Sequence, residues 1–130
     1  MITIKSYTDL SQSKKLAEIL PLESADMSYR PYREESGIPD YQVTLCPHIF
    51  ASWIGIPCWS LAALLGAIAM YGIIDLRFLQ STYDNRGNHL TNVWCLTFED
   101  LCTISHDIYA DNPIDACDEM IIKLHELKML

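Results

Sequence analysis

The chain has 130 residues, half of them apolar and a fifth charged, which excludes a disordered or low-complexity protein and suits one domain with its own core. Its net charge of −8, with a pI near 4.7, argues against direct binding to nucleic-acid phosphates. Five cysteines, Cys46, Cys58, Cys95, Cys102 and Cys117, follow no disulfide framework, and the opening MITIKSYTDL has no apolar signal core. Reduced thiols in a cytoplasmic protein are therefore the expectation.

Taken in order, Thr8 to Leu20 reads as a first helix (9–20), capped by Thr8 or Ser11 and stopped by Pro21. Leu10, Leu16, Ile19 and Leu20 give it a narrow apolar stripe. The polar stretch 22–41, with two prolines and a glycine, reads as a loop with at most a helical turn near Glu23. Within it Tyr29, Tyr32 and Tyr41 accompany Arg30 and Arg33, a small aromatic and basic patch offset by Glu34 and Glu35. Gln42 to Cys46 is expected to be a short strand ended by Pro47.

Ile49 to Ile74 carries no Asp, Glu, Lys or Arg and is the stretch on which the architecture must turn. Pro57 suits a first helical position, since its missing N–H would have no intrahelical partner there. Gly72 suits a left-handed close, so a buried central helix is expected over 57–71. Leu61, Leu64, Leu65 and Ile68 share one face, and Ala63, Gly66, Ala67 and Met70 make the other face small rather than polar. A membrane span is the competing reading of such a run. The break at Pro57 leaves only about 17 residues, and no Lys/Arg cluster flanks them.

Ile73 to Tyr83 and Leu90 to Phe98 alternate as strands about the turn residues Asp84-Asn85-Arg86-Gly87-Asn88, a hairpin over 73–83 and 90–98. The segment 101–109 reads as a third strand, with a helical alternative. Asn112 as cap, Pro113 at the first position and Asp115 in the first turn mark a last helix over 113–128. Ile114, Cys117, Ile121 and Leu124 line its inner face, widened by Met120 and Leu127. The expectation is a single α+β domain over 1–130, a small antiparallel sheet packed by three helices.

The stretches SYTDLSQSKKLAEILPLESADM (6–27), IPCWSLAALL (56–65) and NPIDACDEMIIKLHEL (112–127) resemble small proteins encoded by prophages and mobile elements of gut-dwelling bacteria. The sequence departs from that group at GAIAMYGIID (66–75), which is more apolar. The group has no established activity, so the resemblance implies a genomic context and no catalytic residue.

Candidate chemistry is sparse. Cys46 with His48, and Cys102 with His106, offer metal ligands, but there is no CxxC pair and no zinc-like spacing, so no metal or cofactor is expected. No phosphate-binding glycine loop is present. Cys58, at the expected helix start, is the cysteine with a helix-derived reason for a lowered pKa; with Trp59 and His48 it outlines a pocket for a small enzyme or ligand binder. Charge asymmetry is the remaining feature: a solvated acidic face is its plain reading, and a surface for a basic partner is the sharper one. No Lys or Arg lies between Arg86 and Lys123, while Glu99, Asp100, Asp107, Asp111, Asp115, Asp118 and Glu119 do. Asp107, Asp111, Asp115, Asp118 and Glu119 are the candidate acidic face of a non-enzymatic interaction protein with a basic protein partner. The apolar content also allows a homodimer, and a membrane-associated protein is the third reading.

Overall fold

The computed structural model describes residues 5–33, 39–45, 55–100 and 104–130. The elements run α1 (Leu10–Leu16), a 3-10 turn (Leu22–Ser24), β1 (Met27–Arg33), β2 (Pro39–Leu45), β3 (Ile56–Cys58), α2 (Leu61–Ala69), β4 (Ile73–Tyr83), β5 (His89–Glu99), β6 (Ser105–Ala110) and α3 (Pro113–Glu126). The strands form two antiparallel three-stranded sheets, ordered β2-β1-β3 and β4-β5-β6. This is the expected α+β class, with one sheet more than the sequence shows.

The additional sheet corrects the reading of 22–41 as a loop. Met27–Arg33 is a strand with partners on both sides, Ser28 opposite Thr44 of β2 and opposite Pro57 of β3. Pro31 and Arg30 lower its local strand preference, and the two flanking strands override it. Pro57 is likewise corrected: it lies in edge strand β3, where a residue without an N–H is tolerated, and does not open a helix. The helix α2 begins instead after Ser60, whose hydroxyl accepts the Ala63 N–H at 3.3 Å.

The first helix begins at Leu10 because its cap is Asp9, and it ends at Leu16 rather than at Leu20. The Asp9 carboxylate accepts the Gln12 N–H at 2.8 Å and the Gln12 side chain accepts the Asp9 N–H at 3.1 Å, a reciprocal capping box. Thr8 has another task. It is buried, donates its N–H to the Trp59 carbonyl at 3.0 Å and accepts the Trp59 N–H on its hydroxyl at 3.1 Å. That double contact holds the start of the chain against the entrance to α2.

The hairpin and the last helix follow the sequence closely. β4 and β5 pair from Ile73 opposite Glu99 to Tyr83 opposite His89, and Gly87 takes φ +81° in the turn between them. Segment 105–110 is a strand, not the helical alternative. Asn112 caps α3 by accepting the Asp115 N–H at 2.9 Å, and Ile114, Cys117, Met120, Ile121 and Leu124 are fully buried. Leu127, expected on that face, is half exposed.

Side chains from α1, α2, β5 and α3 meet in one core that includes Leu16, Trp59, Leu64, Ile68, Leu96 and Phe98. α3 packs on β5 and β6, and α2 packs between α3 and β4, so both helices cover the same face of the β4-β5-β6 sheet. Among the described residues, no helix is long and apolar enough to cross a membrane.

Candidate functional site

The expected pocket around Cys58, Trp59 and His48 is not opened by the described structure. Cys58 and Trp59 are fully buried, and His48 lies outside the described residues. Cys58 is at the end of β3 rather than in the first turn of a helix, which corrects the basis for a lowered pKa. Its Sγ lies 3.5 Å from the Thr8 carbonyl and 3.6 Å from the Thr8 hydroxyl. Burial pushes this thiol above its usual 9.0, and hydrogen bonds from Thr8 and Ser13 offset that only in part. Burial also lifts Cys117, to about 12, with Asp118 adding to the shift. Thiols held in the protonated form are poor nucleophiles and poor metal ligands at neutral pH.

The metal pairs fall partly outside the described residues: Cys46, His48 and Cys102 are not among them. Among the described residues no group of three or more His, Cys, Asp or Glu is placed to hold a metal ion. Tyr29 is buried and donates its hydroxyl to the Thr8 carbonyl at 2.6 Å, so it leaves the expected aromatic and basic patch.

The five candidate acidic residues separate into two groups. Asp115 is held by partners within the fold, and Asp118 is buried. One Asp115 oxygen accepts from Lys5 Nζ and from Gln12 Nε2, each at 2.8 Å, and the other accepts from Asn112 Nδ2 at 2.8 Å. Burial raises this carboxyl, the three hydrogen bonds outweigh it, and the net effect holds Asp115 below its usual 3.8. Lys5 answers in kind: partial burial lowers it, Asp115 and Asp9 more than restore it, and it stands above 10.5. These carboxylates clasp the N-terminal segment to α3.

Asp118 is only 9% exposed, and its Oδ1 has no hydrogen-bond partner. Burial, then the charges of Asp115 and Asp9, push it above 3.8. An acid with a raised folded pKa destabilises the fold once ionised. The penalty is absent below the unfolded pKa and grows as pH rises through the folded one. Asp118→Asn is therefore expected to raise the melting temperature at pH 7, with the gain vanishing in melts below about pH 3.8, the ordinary aspartate value. A gain of equal size at both pH values would remove ionisation as its cause.

Asp107, half-buried, and Glu119, exposed, share an open groove of about 490 Å³ where the tip of the β4-β5 hairpin approaches β6 and α3. Asp84, Asn85, Arg86, Leu90, Ile108 and Tyr109 complete its lining. Asp111 is exposed on the turn into α3.

Asp84 was not a sequence candidate, because turn chemistry accounts for it. One of its oxygens accepts the Arg86 and Asn88 N–H groups, both at 2.9 Å, and the other accepts Asn88 Nδ2 at 3.1 Å. Those donors, Asn88 first, hold its carboxyl below 3.8 and keep it ionised at the rim. Asp107 accepts the Thr97 hydroxyl at 2.7 Å, which fixes its direction on β6. Glu119 is shifted the other way. Partial burial, then the charges of Asp115 and Asp118, raise it above 4.5.

A second hollow of about 270 Å³ is lined by Lys5, Ser6, Tyr7, Asp9 and Tyr29. Its charged groups are already paired, Lys5 with Asp9 at 3.1 Å and with Asp115. The groove has three carboxylates and one cation, Arg86, in its lining.

Fold and groove together define a small α+β protein with an acidic cleft. Comparison with protein-family models, with curated proteins and with solved structures finds no match.

Proposed function

We propose that the chain is a non-enzymatic protein-interaction module whose groove receives a basic, partly apolar segment of a protein partner. The observation that carries this reading is the convergence of Asp84, Asp107 and Glu119 on an open groove that also presents Leu90, Ile108 and Tyr109. Carboxylates at the rim steer a Lys- or Arg-bearing segment and set its register, while the apolar lining supplies contact area. The resemblance to mobile-element proteins supports an accessory role in such an element. The buried free thiols Cys58, Cys95 and Cys117 support a reducing cytoplasm.

The test uses an isotopically labelled chain titrated with a synthetic peptide of alternating lysine and leucine, and with a glutamate-for-lysine control. Amide shifts are expected around Asp84–Arg86, Asp107–Tyr109 and Glu119 with the basic peptide only. Asp107→Lys with Glu119→Lys is expected to weaken binding about tenfold or more, since two rim attractions become repulsions. Raising salt is expected to weaken it as well. Shifts that map elsewhere, or an affinity indifferent to salt and to the double reversal, overturn the reading.

A further inference from the structure

The edge of the β4-β5-β6 sheet at β4 has a composition that calls for a partner. β4 is 11 residues long and pairs only with β5 among the described residues, so its other side presents a row of unpaired backbone N–H and C=O groups. Natural edges of that length are usually blunted by lysine, proline or a bulge. β4 has no lysine and no proline, and its two charges, Asp75 and Arg77, lie 3.1 Å apart and offset each other. Apolar residues along it stay in water: Ile73 is 66% exposed and Phe78 44%. The flank leading into it is equally bare of charge. No ionisable acid or base other than Tyr71 occurs from Ser60 to Ile74, and Met70, at the end of α2, is 81% exposed.

We infer that β4 is a homodimer edge, pairing antiparallel with β4 of a second copy about a two-fold axis through Leu76. The charges select this register. A two-fold perpendicular to the sheet pairs residue k with its own copy at the centre and keeps paired side chains on one face. Centred on Asp75 or on Arg77, it sets a charge against itself. Centred on Leu76, it sets Asp75 against the second copy's Arg77, and the reverse, so two opposite-charge pairs flank the axis. The same register opposes Ile73 to Leu79 and Ile74 to Phe78, apolar against apolar. Centred on Phe78, it leaves Asp75 opposite Ser81 and Arg77 opposite Leu79. The Leu76 register pairs residues 73–79 of the strand and is the one that matches the charges and the apolar residues together. The result is a continuous six-stranded sheet with the helices of both copies on one face. The groove residues are not involved.

Sedimentation or light scattering of the full chain over a range of concentrations is expected to give twice the 14.8 kDa of the chain. Arg77→Asp and Asp75→Arg each turn both attractive pairs into repulsive ones and are expected to raise the dimer dissociation constant about tenfold or more. The exchanged variant, Asp75→Arg with Arg77→Asp, restores both pairs and is expected to return the dimer. Both side chains are more than half exposed, so the circular dichroism spectrum is expected to be unchanged in all three. A wild-type mass of 14.8 kDa at every concentration overturns the inference. So does a dimer that the single variants leave intact, or an exchanged variant that stays monomeric.

Discussion

Trp59→Ala is expected to lower the stability of the fold by about 3–5 kcal/mol, read as a shifted midpoint in urea with an unchanged slope. Trp59 is fully buried in the common core, and its truncation leaves a cavity there. The indole also donates to the Ser24 hydroxyl at 2.9 Å, while that hydroxyl donates to the Pro21 carbonyl at 2.6 Å. Trp59→Phe separates the two contributions. It keeps most of the buried area and is expected to cost about 1–2 kcal/mol for the lost hydrogen bond and the smaller ring. Since a domain of this size has roughly 5–15 kcal/mol in total, the alanine variant is expected to lose a large share of its stability. An alanine variant within about 1 kcal/mol of wild type would show that the region around Trp59 collapses freely, contrary to the packing described.

Gly72→Ala has the next largest expected effect, and its cause is contact rather than conformation. A Cβ at residue 72 would meet the Glu99 carbonyl oxygen, and would lie 2.6 Å from Cζ and 2.7 Å from Cε2 of Phe98. The first neighbour is backbone, held where Glu99 pairs with Ile73, and the second is a fully buried ring. Neither yields without opening the first rung of the hairpin or displacing the core. A cost of about 3 kcal/mol is expected, a fall in melting temperature of roughly 10 °C. The sequence reading assigned Gly72 to a left-handed helix close. Among the described residues Gly87 is the glycine that takes a positive φ, and Gly72 serves instead to let α2 turn into β4 directly against β5. A thermal melt of Gly72→Ala within a few degrees of wild type would reject the steric account.

How much was legible follows from the range of the forces concerned. The last helix was legible because every signal for it is local: Asn112 and Pro113 at the start, Asp115 in the first turn, and an apolar repeat that became its buried face. The hairpin was legible for the same reason, with alternation on both sides of a turn centred on Asp84 to Asn88. Two further features of the fold have local signals. Asp9 and Gln12 have the spacing of a capping box. Asp118 falls four residues after Ile114 and three before Ile121, on the helix stripe that the apolar residues define, so its burial was readable from the period alone.

The acidic site was legible in part. The interval without Lys or Arg contains both Asp107 and Glu119, which the fold brings to one groove. Nothing local shows that Asp84 joins them, because it comes from the other end of the hairpin and its turn hydrogen bonds explain it fully. Nothing local shows that Lys5 withdraws Asp115 from the face, because that partner is 110 residues away.

Composition, capping residues and apolar period by themselves determined the α+β class, the β4-β5 hairpin, the α3 helix and the acidic interval between Arg86 and Lys123. These depend on interactions between residues a few positions apart. The tertiary structure alone decided that Met27–Arg33 is a strand, that Pro57 pairs at a sheet edge, and that Cys58 and Trp59 face the core. It also decided which carboxylates reach water. Each of those outcomes is set by a neighbour distant in sequence, whose hydrogen bonds or apolar area outweigh a local preference of a few tenths of a kcal/mol.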